Sequence, residues 1–400
     1  MARARQLMAT STARPHRAEA VARIAEIPAS AWDACANPDA QTFNPFVAHG
    51  FLRALEDAGC VGGRSGWNPR HLLLRQGEEI VACAPCYLKS HSQGEYVFDH
   101  AWAEAYGNAG GRYYPKLQIA VPFTPVPGRR LLTTGEGRWQ ANEALLAAAA
   151  IELARGCSAS GVHITFLDAE ACRRLGARGF LERTDQQFHW RNEGYACFDD
   201  FLATLASRKR KAVRKEREQA ISDGLDIGWV RGSDITEAHW DAFFAFYMDT
   251  GSRKWGRPYL NRKAFSLIGA ALGDRCLLMF ANRGRRPIAG ALHVIGGDCL
   301  YGRYWGALEH HPCLHFELCY YQAIEFAIRH GLARAEAGAQ GQHKLARGYL
   351  PTKTYSAHYI LDPSLRRAIA DYLVRERAYI DAAGEQLAQY APFRKIAIKV

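Results

Sequence analysis

The chain has 400 residues, 48% of them hydrophobic and 23% charged, which is the composition of a soluble globular protein with two or three domains. It contains no apolar run near the roughly 20 residues that span a bilayer, and its first twenty residues lack the apolar centre of a secretory signal. The net charge of +11 predicts an anionic partner, such as a nucleic acid, a nucleotide or a phosphorylated lipid. Eleven cysteines at irregular spacing indicate reduced thiols, and therefore a cytoplasmic protein.

A first domain is predicted at residues 21–197, after a disordered tail at residues 1–20. Hydrophobic periodicity and turn residues define its elements. In chain order, they are helices around Trp32 and at Phe46–Ala58, a hairpin of His71–Gln76 and Ile80–Leu88, a strand at Leu117–Val121, a helix at Ala141–Arg155, and strands at Val162–Leu167 and around Phe188. The proline-rich loop Pro122–Arg130 precedes the long helix.

A basic helix at residues 198–224 is predicted to join this domain to a second one at residues 225–400. Arg210, Arg214 and Arg217 lie at i, i+4 and i+7, so they project from one face of that helix. The second domain repeats the order of elements: a hairpin at Cys276–Ile295, strands at Leu300–Leu308, Ala333–Gly338 and Ser356–Leu361, and helices at His315–His330 and Leu365–Gln389.

Two short motifs recur at one spacing. ARGFL at Ala177–Leu181 returns as ARGYL at Ala346–Leu350, and HW at His189 returns as HY at His358. Both recurrences have the same offset (347 minus 178 and 358 minus 189 are each 169). The chain is therefore predicted to use one α/β unit of mixed sheet and helices twice, giving two sheets side by side with a ligand crevice between them.

Four segments carry a resemblance to a known family: Tyr113–Leu132, Ser207–Glu218, His315–Ile328 and Ala337–Ile360. With the order of elements, they make the chain resemble the FemAB-like predicted N-acyltransferases of peptidoglycan biosynthesis or recognition, over Ala31 to Tyr379. The resemblance implies two tandem GNAT-like acyltransferase domains and transfer of an acyl group, from an acyl-CoA or an aminoacyl-tRNA, to an amine. Similar sequences often carry a glutamate where this chain has Gln342, so no carboxylate base is expected there.

Candidate catalytic residues lie in the second domain. Lys344 and His343 follow a glycine-bounded turn at a strand end, where main-chain N–H groups can approach an anion. Lys344 can neutralise a phosphate or steady an oxyanion, the alternative being a solvated surface lysine. Tyr304, on the strand equivalent to the central GNAT strand, is a candidate proton donor, with simple packing as the alternative. The candidate cofactor-binding residues are Gly338, Gln340 and Gly341.

Candidate substrate contacts come from basic and aromatic side chains. Three arginines are candidates for gripping a diphosphate or a tRNA backbone, the alternative being a solvated face: Arg210, Arg214 and Arg347. Three residues of the first domain are candidates for holding the acceptor, with packing equally plausible: Asp99, Trp102 and Tyr106.

No metal site is predicted, because His310 and His311 are adjacent and have only Glu309 and Cys313 near them. The leading interpretation is an N-acyltransferase acting on an amine of a cell-wall precursor or another phosphate-bearing metabolite. The alternative is a non-catalytic tandem-GNAT protein that recognises a cell-wall precursor or RNA.

Overall fold

The computed structural model describes residues 15–135, 137–254, 258–338 and 341–394, with the backbone alone at residues 252–254. In the first half, the strands are β1 (His16–Val21), β2 (Trp67–Pro69), β3 (His71–Gln76), β4 (Glu79–Ala84), β5 (Cys86–Lys89), β6 (Lys116–Ile119), β7 (Leu132–Thr133), β8 (Gly161–Leu167) and β9 (Leu181–Arg191). The helices are α1 (Ala29–Ala36), α2 (His49–Asp57), α3 (His100–Asn108), α4 (Trp139–Gly156), α5 (Ala169–Gly176), α6 (Phe198–Thr204) and α7 (Ser207–Ala220).

In the second half, the strands are β10 (Leu225–Arg231), β11 (Cys276–Arg283), β12 (Arg286–Ile295), β13 (Cys299–Ala307), β14 (Arg334–Glu336) and β15 (Leu350–Ile360). The helices are α8 (Glu237–Lys254), α9 (Arg262–Leu272), α10 (Leu314–Phe316), α11 (Gln322–Arg329) and α12 (Pro363–Ala388). A π-helical segment, Glu317–Tyr321, joins α10 to α11. Short 3-10 turns lie at Ile24–Glu26, Gly63–Ser65, Gly232–Asp234, Gly273–Arg275 and Gln342–Arg347.

Side-chain caps fix where several helices begin. Asp168 accepts a hydrogen bond from the Ala171 N–H at 2.7 Å, which starts α5. Asp362 does the same for the Leu365 N–H at 2.7 Å, and Pro363 follows it as the first residue of α12. Such caps satisfy N–H groups that the first helical turn leaves without partners.

The central strands of both halves form one 11-stranded mixed sheet, in the order β10-β11-β12-β13-β14-β9-β15-β8-β6-β5-β2. A smaller antiparallel sheet, β1-β3-β4-β7, packs in the first half. The prediction of two separate sheets with a crevice between them is therefore wrong in its topology. The mixed α/β fold class is confirmed.

The joint between the halves is an exchange of their last strands. β9, from the first half, pairs with β14 of the second half, and β15 pairs with β8 of the first half. β9 and β15 also pair with each other. In this pairing Thr354 lies opposite Asp185, and the two positions are separated by the repeat offset (354 minus 185 is 169). A pseudo-two-fold axis therefore passes through this pair, which supports the inferred duplication.

Hydrophobic cores cover both faces of the sheet in the second half. One face, the α8 face, packs Phe243 and Phe265 from α8 and α9 against the strands, and shares its core with Trp32 and Phe46 of the first half. The other, the α11 face, packs the π-helical segment and α11, with Tyr321 fully buried. Since one core contains residues of both halves, burial of apolar side chains stabilises them together.

Three predicted boundaries differ from the structure. His16–Val21 pairs with β3, so part of the predicted tail is a strand. The predicted linker helix is two helices, because buried Leu205 is extended (φ −75°, ψ 147°) and bridges Phe393. The strand exchange also crosses the predicted division into domains at residues 197 and 225, since β15 lies beside β8.

Candidate functional site

Two parallel strands separate at the centre of the second half. β13 and β14 pair only at Cys299–Arg334, Leu300–Ala335 and Tyr301–Glu336, after which β14 ends and β13 continues to Ala307. Gly302 stands at the point of separation, where an added Cβ would lie 3.2 Å from the Glu336 carbonyl oxygen. Beyond this point, the main-chain N–H and C=O groups on this edge of β13 form no hydrogen bonds with β14. We call this opening the split.

On the α11 face, the split is bounded by the turn that follows β14. Gly338 (φ 78°) and Gly341 (φ 116°) adopt left-handed conformations that favour glycine, and the 3-10 turn Gln342–Arg347 follows. Lys344 is 2% exposed and its Nζ donates to the Gly338 carbonyl oxygen at 2.9 Å, which closes the turn. Burial lowers the pKa of Lys344 to about 8. The predicted contact Gln340 lies outside the described residues.

His343 is exposed beside the π-helical segment. Its Nε2 lies 2.9 Å from the Tyr320 hydroxyl, and its ring lies 5.7 Å from those of Phe316 and Tyr320. Single π-helical turns are rare and frequent at functional sites. The structure thus brings His343 and Lys344 to one turn, as predicted from the sequence, and adds Tyr320, which the sequence reasoning missed.

Arg347 anchors this turn to α7. Its guanidinium donates to both carboxylate oxygens of Glu216, at 2.8 and 3.1 Å, and to the His343 carbonyl oxygen at 2.6 Å. It also lies 3.4 Å from the Phe316 ring centroid. Because these contacts occupy a side chain that is only 6% exposed, Arg347 positions the turn, which corrects its predicted role as a substrate contact.

The basic helix α7 thereby lies along the rim of the split. Arg217 is committed to Glu317 and Glu325, at 2.9 and 2.8 Å. Arg214 is exposed, and its one ion pair in the described chain is a long contact of 3.5 Å with the exposed Asp199. Arg210 is half-buried and forms no ion pair in the described chain. Of the predicted arginine stripe, two members remain accessible to an anion and the third is structural.

Tyr304 lies on the other side of the sheet. Its ring packs against Tyr247 at 5.1 Å and Phe265 at 6.2 Å, on the α8 face. Neighbouring Arg303 donates to the Phe123 carbonyl oxygen of the first half at 2.7 Å. Tyr304, predicted as a candidate catalytic residue along with Lys344 and His343, therefore lies on the opposite face of the sheet from them.

A buried carboxylate that the sequence reasoning missed stands at the split. Glu336 is 5% exposed, accepts from Arg334 Nε at 3.3 Å, and has one oxygen, Oε2, without a hydrogen-bond partner in the described chain. His189, contributed by the exchanged strand β9, lies 3.9 Å from that oxygen, and burial lowers its pKa. The only feature of the sequence that pointed to Glu336 was its position in the predicted strand Ala333–Gly338.

The predicted acceptor residues of the first half lie elsewhere, inside a core. Asp99 is 2% exposed, pairs with the fully buried Lys116 and accepts from the Tyr113 hydroxyl at 2.7 Å. Burial opposes its ionisation most strongly, but the charges of Lys116 and His163 and the hydrogen bonds from Lys116 and Ser92 together lower the pKa of Asp99. Trp102 packs on His358 at 5.0 Å, and Tyr106 joins the same cluster against α12. These residues stabilise the first half, which corrects their predicted role.

Two absences concern only the described residues. No group of three or more His, Cys, Asp or Glu side chains there is arranged to hold a metal ion. None of the described helices is both long and apolar enough to cross a membrane.

Comparison with known structures gives the same fold. The crystal structure of FemX matches with a TM-score of 0.52 at 14% identity, over 86% of this chain and 98% of that chain. The C-terminal domain of a putative lysylphosphatidylglycerol synthetase from Agrobacterium fabrum matches with 0.52 at 9% identity, over 87% and 96%. A tandem GNAT protein from the clavulanic acid biosynthesis pathway gives 0.45 at 12% identity, over 87% and 99%. No curated protein matches the sequence at a significant level.

The sheet built from two related halves, with its split between parallel central strands, therefore belongs to a chain with the fold of FemX. The particular family follows from the sequence: the FemAB-like model, described as peptidoglycan biosynthesis/recognition, matches residues 23–395. The chain belongs to this FemAB-like family.

Proposed function

We propose that this protein transfers an acyl or aminoacyl group to an amine of a peptidic cell-wall precursor, and that the transfer takes place in the split. The observation that carries the proposal is the separation of β13 from β14 directly after the Tyr301–Glu336 pair, with Lys344 and Glu336 on its two sides. The family description supports a substrate related to peptidoglycan.

The acyl donor enters from the α11 face. Accessible Arg210 and Arg214 on the rim supply positive charge for a phosphate-bearing donor, either an acyl-CoA or an aminoacyl-tRNA. Main-chain N–H groups on the open edge of β13 can donate to the carbonyl oxygen that becomes an oxyanion. Lys344 uses one Nζ proton on the Gly338 carbonyl oxygen, and this Nζ has no other hydrogen bond in the described chain, so its charge steadies the oxyanion or a phosphate.

The acceptor amine enters from the α8 face, where Tyr304 and Arg303 border the split. Its nitrogen attacks the acyl carbonyl carbon, and the C–S bond of a thioester or the C–O bond of an aminoacyl ester breaks. Glu336 accepts the proton that the nitrogen loses, through its unpartnered Oε2. On the donor side, exposed His343, hydrogen-bonded to Tyr320, returns a proton to the leaving sulfur or oxygen.

The test is acyl transfer by the purified full-length chain, with a panel of acyl-CoA and aminoacyl-tRNA donors and a muramyl-peptide acceptor. Ribonuclease treatment separates the two donor classes. Lys344→Met is expected to lower kcat/KM by about 10²–10³-fold, because one preformed contact to developing negative charge is lost. Lys353→Met, on the surface of β15, is the matched control and is expected to keep full activity.

A chain that binds the precursor but transfers no group from either donor class would overturn the proposal in favour of a binding protein. Transfer that survives Lys344→Met unchanged would overturn the placement in the split. We further propose a cytoplasmic location, since both donor classes are made there.

A further inference from the structure

The first half has its own cavity, at the place that corresponds to the turn beside the split. It has a volume of about 310 Å³ and lies between the end of β8 and the first residues of α4 and α5. The repeat offset of 169 relates Gly338 to Ala169 and His343 to Arg174, and both first-half residues belong to α5. The cavity is therefore the first-half counterpart of the candidate transfer site.

The carboxylates around this cavity are already engaged. Glu143 receives two hydrogen bonds from Arg174, at 2.8 and 2.9 Å. Asp168 caps α5 through the Ala171 N–H. The Glu170 side chain is 74% exposed and lies 3.7 Å from both Arg173 and Arg174. Asp168 and Glu143 act on the other positive charges that line the cavity only from a distance, and none of the three carboxylates forms an ion pair with them in the described chain.

Those charges belong to Arg129 and Arg130, neither of which has a carboxylate within 4.0 Å in the described chain. Arg129 donates to the carbonyl oxygens of Cys35 and Thr133, at 3.2 and 2.7 Å. Arg130 is 1% exposed, donates only to main-chain carbonyl oxygens, and its Nε has no partner. Burial lowers the pKa of both side chains. Burying a guanidinium without a close ion pair is costly, so an anion in the cavity would stabilise both side chains.

The beginning of α4 offers donors to the same space. Arg138, its N-cap, makes no side-chain capping bond, and the first turn carries no acidic residue. The first N–H groups of this 18-residue helix therefore favour negative charge. Trp139, the first residue of α4, lines the cavity and offers an aromatic surface beside it.

We propose that this cavity binds a small phosphate-bearing molecule, with the phosphate between Arg129, Arg130 and the N-terminus of α4, and its organic part against Trp139. The first half is then a ligand-binding half as well as a scaffold. The inference does not depend on acyl transfer, since it rests on the charges around the cavity alone.

The test is calorimetric titration of the full-length chain with inorganic pyrophosphate, at constant ionic strength. Gly135 lines the cavity, has an ordinary backbone conformation, and an added Cβ would meet only Pro38 atoms at 3.6 and 3.8 Å. Gly135→Glu introduces a negative charge at the rim and is expected to weaken binding about tenfold or more. Gly135→Ala, the matched control, is expected to change it less than about twofold. Thermal unfolding confirms that both variants fold.

Arg129→Met is expected to weaken pyrophosphate binding as Gly135→Glu does. A folded chain that does not bind pyrophosphate would overturn the proposal, as would equal affinities for the Gly135→Glu and Gly135→Ala variants. Lys344→Met distinguishes the two halves, because loss of binding in that variant alone would place pyrophosphate in the split and contradict the assignment.

Discussion

The turns that follow β14 and β8 hold equivalent places in the two halves and use their residues differently. After β8, Asp168 caps a regular helix, and Arg174 closes onto Glu143. After β14, two left-handed glycines and a 3-10 turn replace the helix, and the buried Lys344 makes one hydrogen bond through its Nζ in the described chain. The duplicated framework is the same, but after β14 the turn places Lys344 Nζ, with this single hydrogen bond, beside the open edge of β13.

The buried groups near the exchanged strands show the same contrast. In the first half, His358 of β15 faces His163, with their Nδ1 atoms 2.9 Å apart, and Lys116 compensates Asp99 and Glu95 nearby. In the second half, His189 of β9 faces Glu336, which keeps one oxygen without a partner. Glu95 and Asp99 also keep one oxygen each without a partner in the described chain, so the contrast lies in the cation: a fully buried lysine compensates the first-half carboxylates, whereas the partly exposed Arg334 pairs with Glu336.

The largest expected effect is that of Glu336→Gln, which removes the proposed proton acceptor. We expect kcat/KM to fall by about 10²–10⁴-fold, with the thermal unfolding midpoint little changed, since the amide is isosteric. Glu193→Gln, at an exposed position, is the control. An unchanged rate would mean that Glu336 is as structural as its first-half counterparts.

Next in size is the effect of Lys116→Met on the buried charge network of the first half. Lys116 is fully buried and donates to Glu95 at 2.6 Å and Ser92 at 2.8 Å. Its loss therefore removes the paired cation of buried Asp99 and leaves Glu95 with Lys89 alone, 3.7 Å away. We expect urea denaturation to show that the free energy of unfolding is lower by about 3 kcal/mol. Lys353→Met, which breaks a half-exposed pair with Asp381, is expected to cost less than about 1 kcal/mol. Equal losses would contradict the compensation of these carboxylates by Lys116.

The pH dependence tests the charge of Lys344. Because burial lowers its pKa to about 8, the protonated fraction decreases as the pH rises through 8, whereas an arginine stays charged. Deprotonation of the acceptor amine changes the transfer rates of the wild-type protein and of the Lys344→Arg variant by the same factor. The ratio of the wild-type rate to the Lys344→Arg rate is therefore expected to fall about tenfold between pH 7 and pH 9. A ratio independent of pH would show that the Lys344 charge does not act in transfer.

The smallest expected effect concerns Gly338 and Gly331, which have similar left-handed conformations (φ 78° and 64°) and open space at the Cβ position. Substitution of either by alanine is expected to cost about 1 kcal/mol of stability. Only Gly338→Ala is expected to lower activity as well, because it alters the turn that carries Lys344. If both variants kept full activity, the shape of this turn would not matter for transfer.

Local patterns predicted much of the fold. The strand predicted at His71–Gln76 is confirmed with the same bounds, and the one at Val162–Leu167 begins one residue earlier in the structure. Turn chemistry and periodicity act within a few residues, so they can be read directly from the chain. The glycine-bounded turn with His343 and Lys344 was recognised for the same reason.

Contacts between distant residues could not be predicted in this way. Arg347 is committed to Glu216, and nothing near either residue in the sequence signals the pair. Alternation along a strand does not reveal which strand lies beside it, so the exchange of β9 and β15 was missed. The face on which Tyr304 lies could not be predicted either, because a bulge opposite Leu292 and His293 leaves Arg303 unpaired, so that Tyr301 and Tyr304 lie on one face.

The strand exchange has a consequence for synthesis of the chain. β8 receives its neighbour β15 only when residues 350–360 have been made, so the first half carries an unpaired strand edge for much of translation. Neither half can complete its sheet from its own residues. If the two halves were expressed separately, each would therefore expose an unpaired strand edge that favours aggregation. The two copies of the duplicated unit thus depend on each other to complete their sheet.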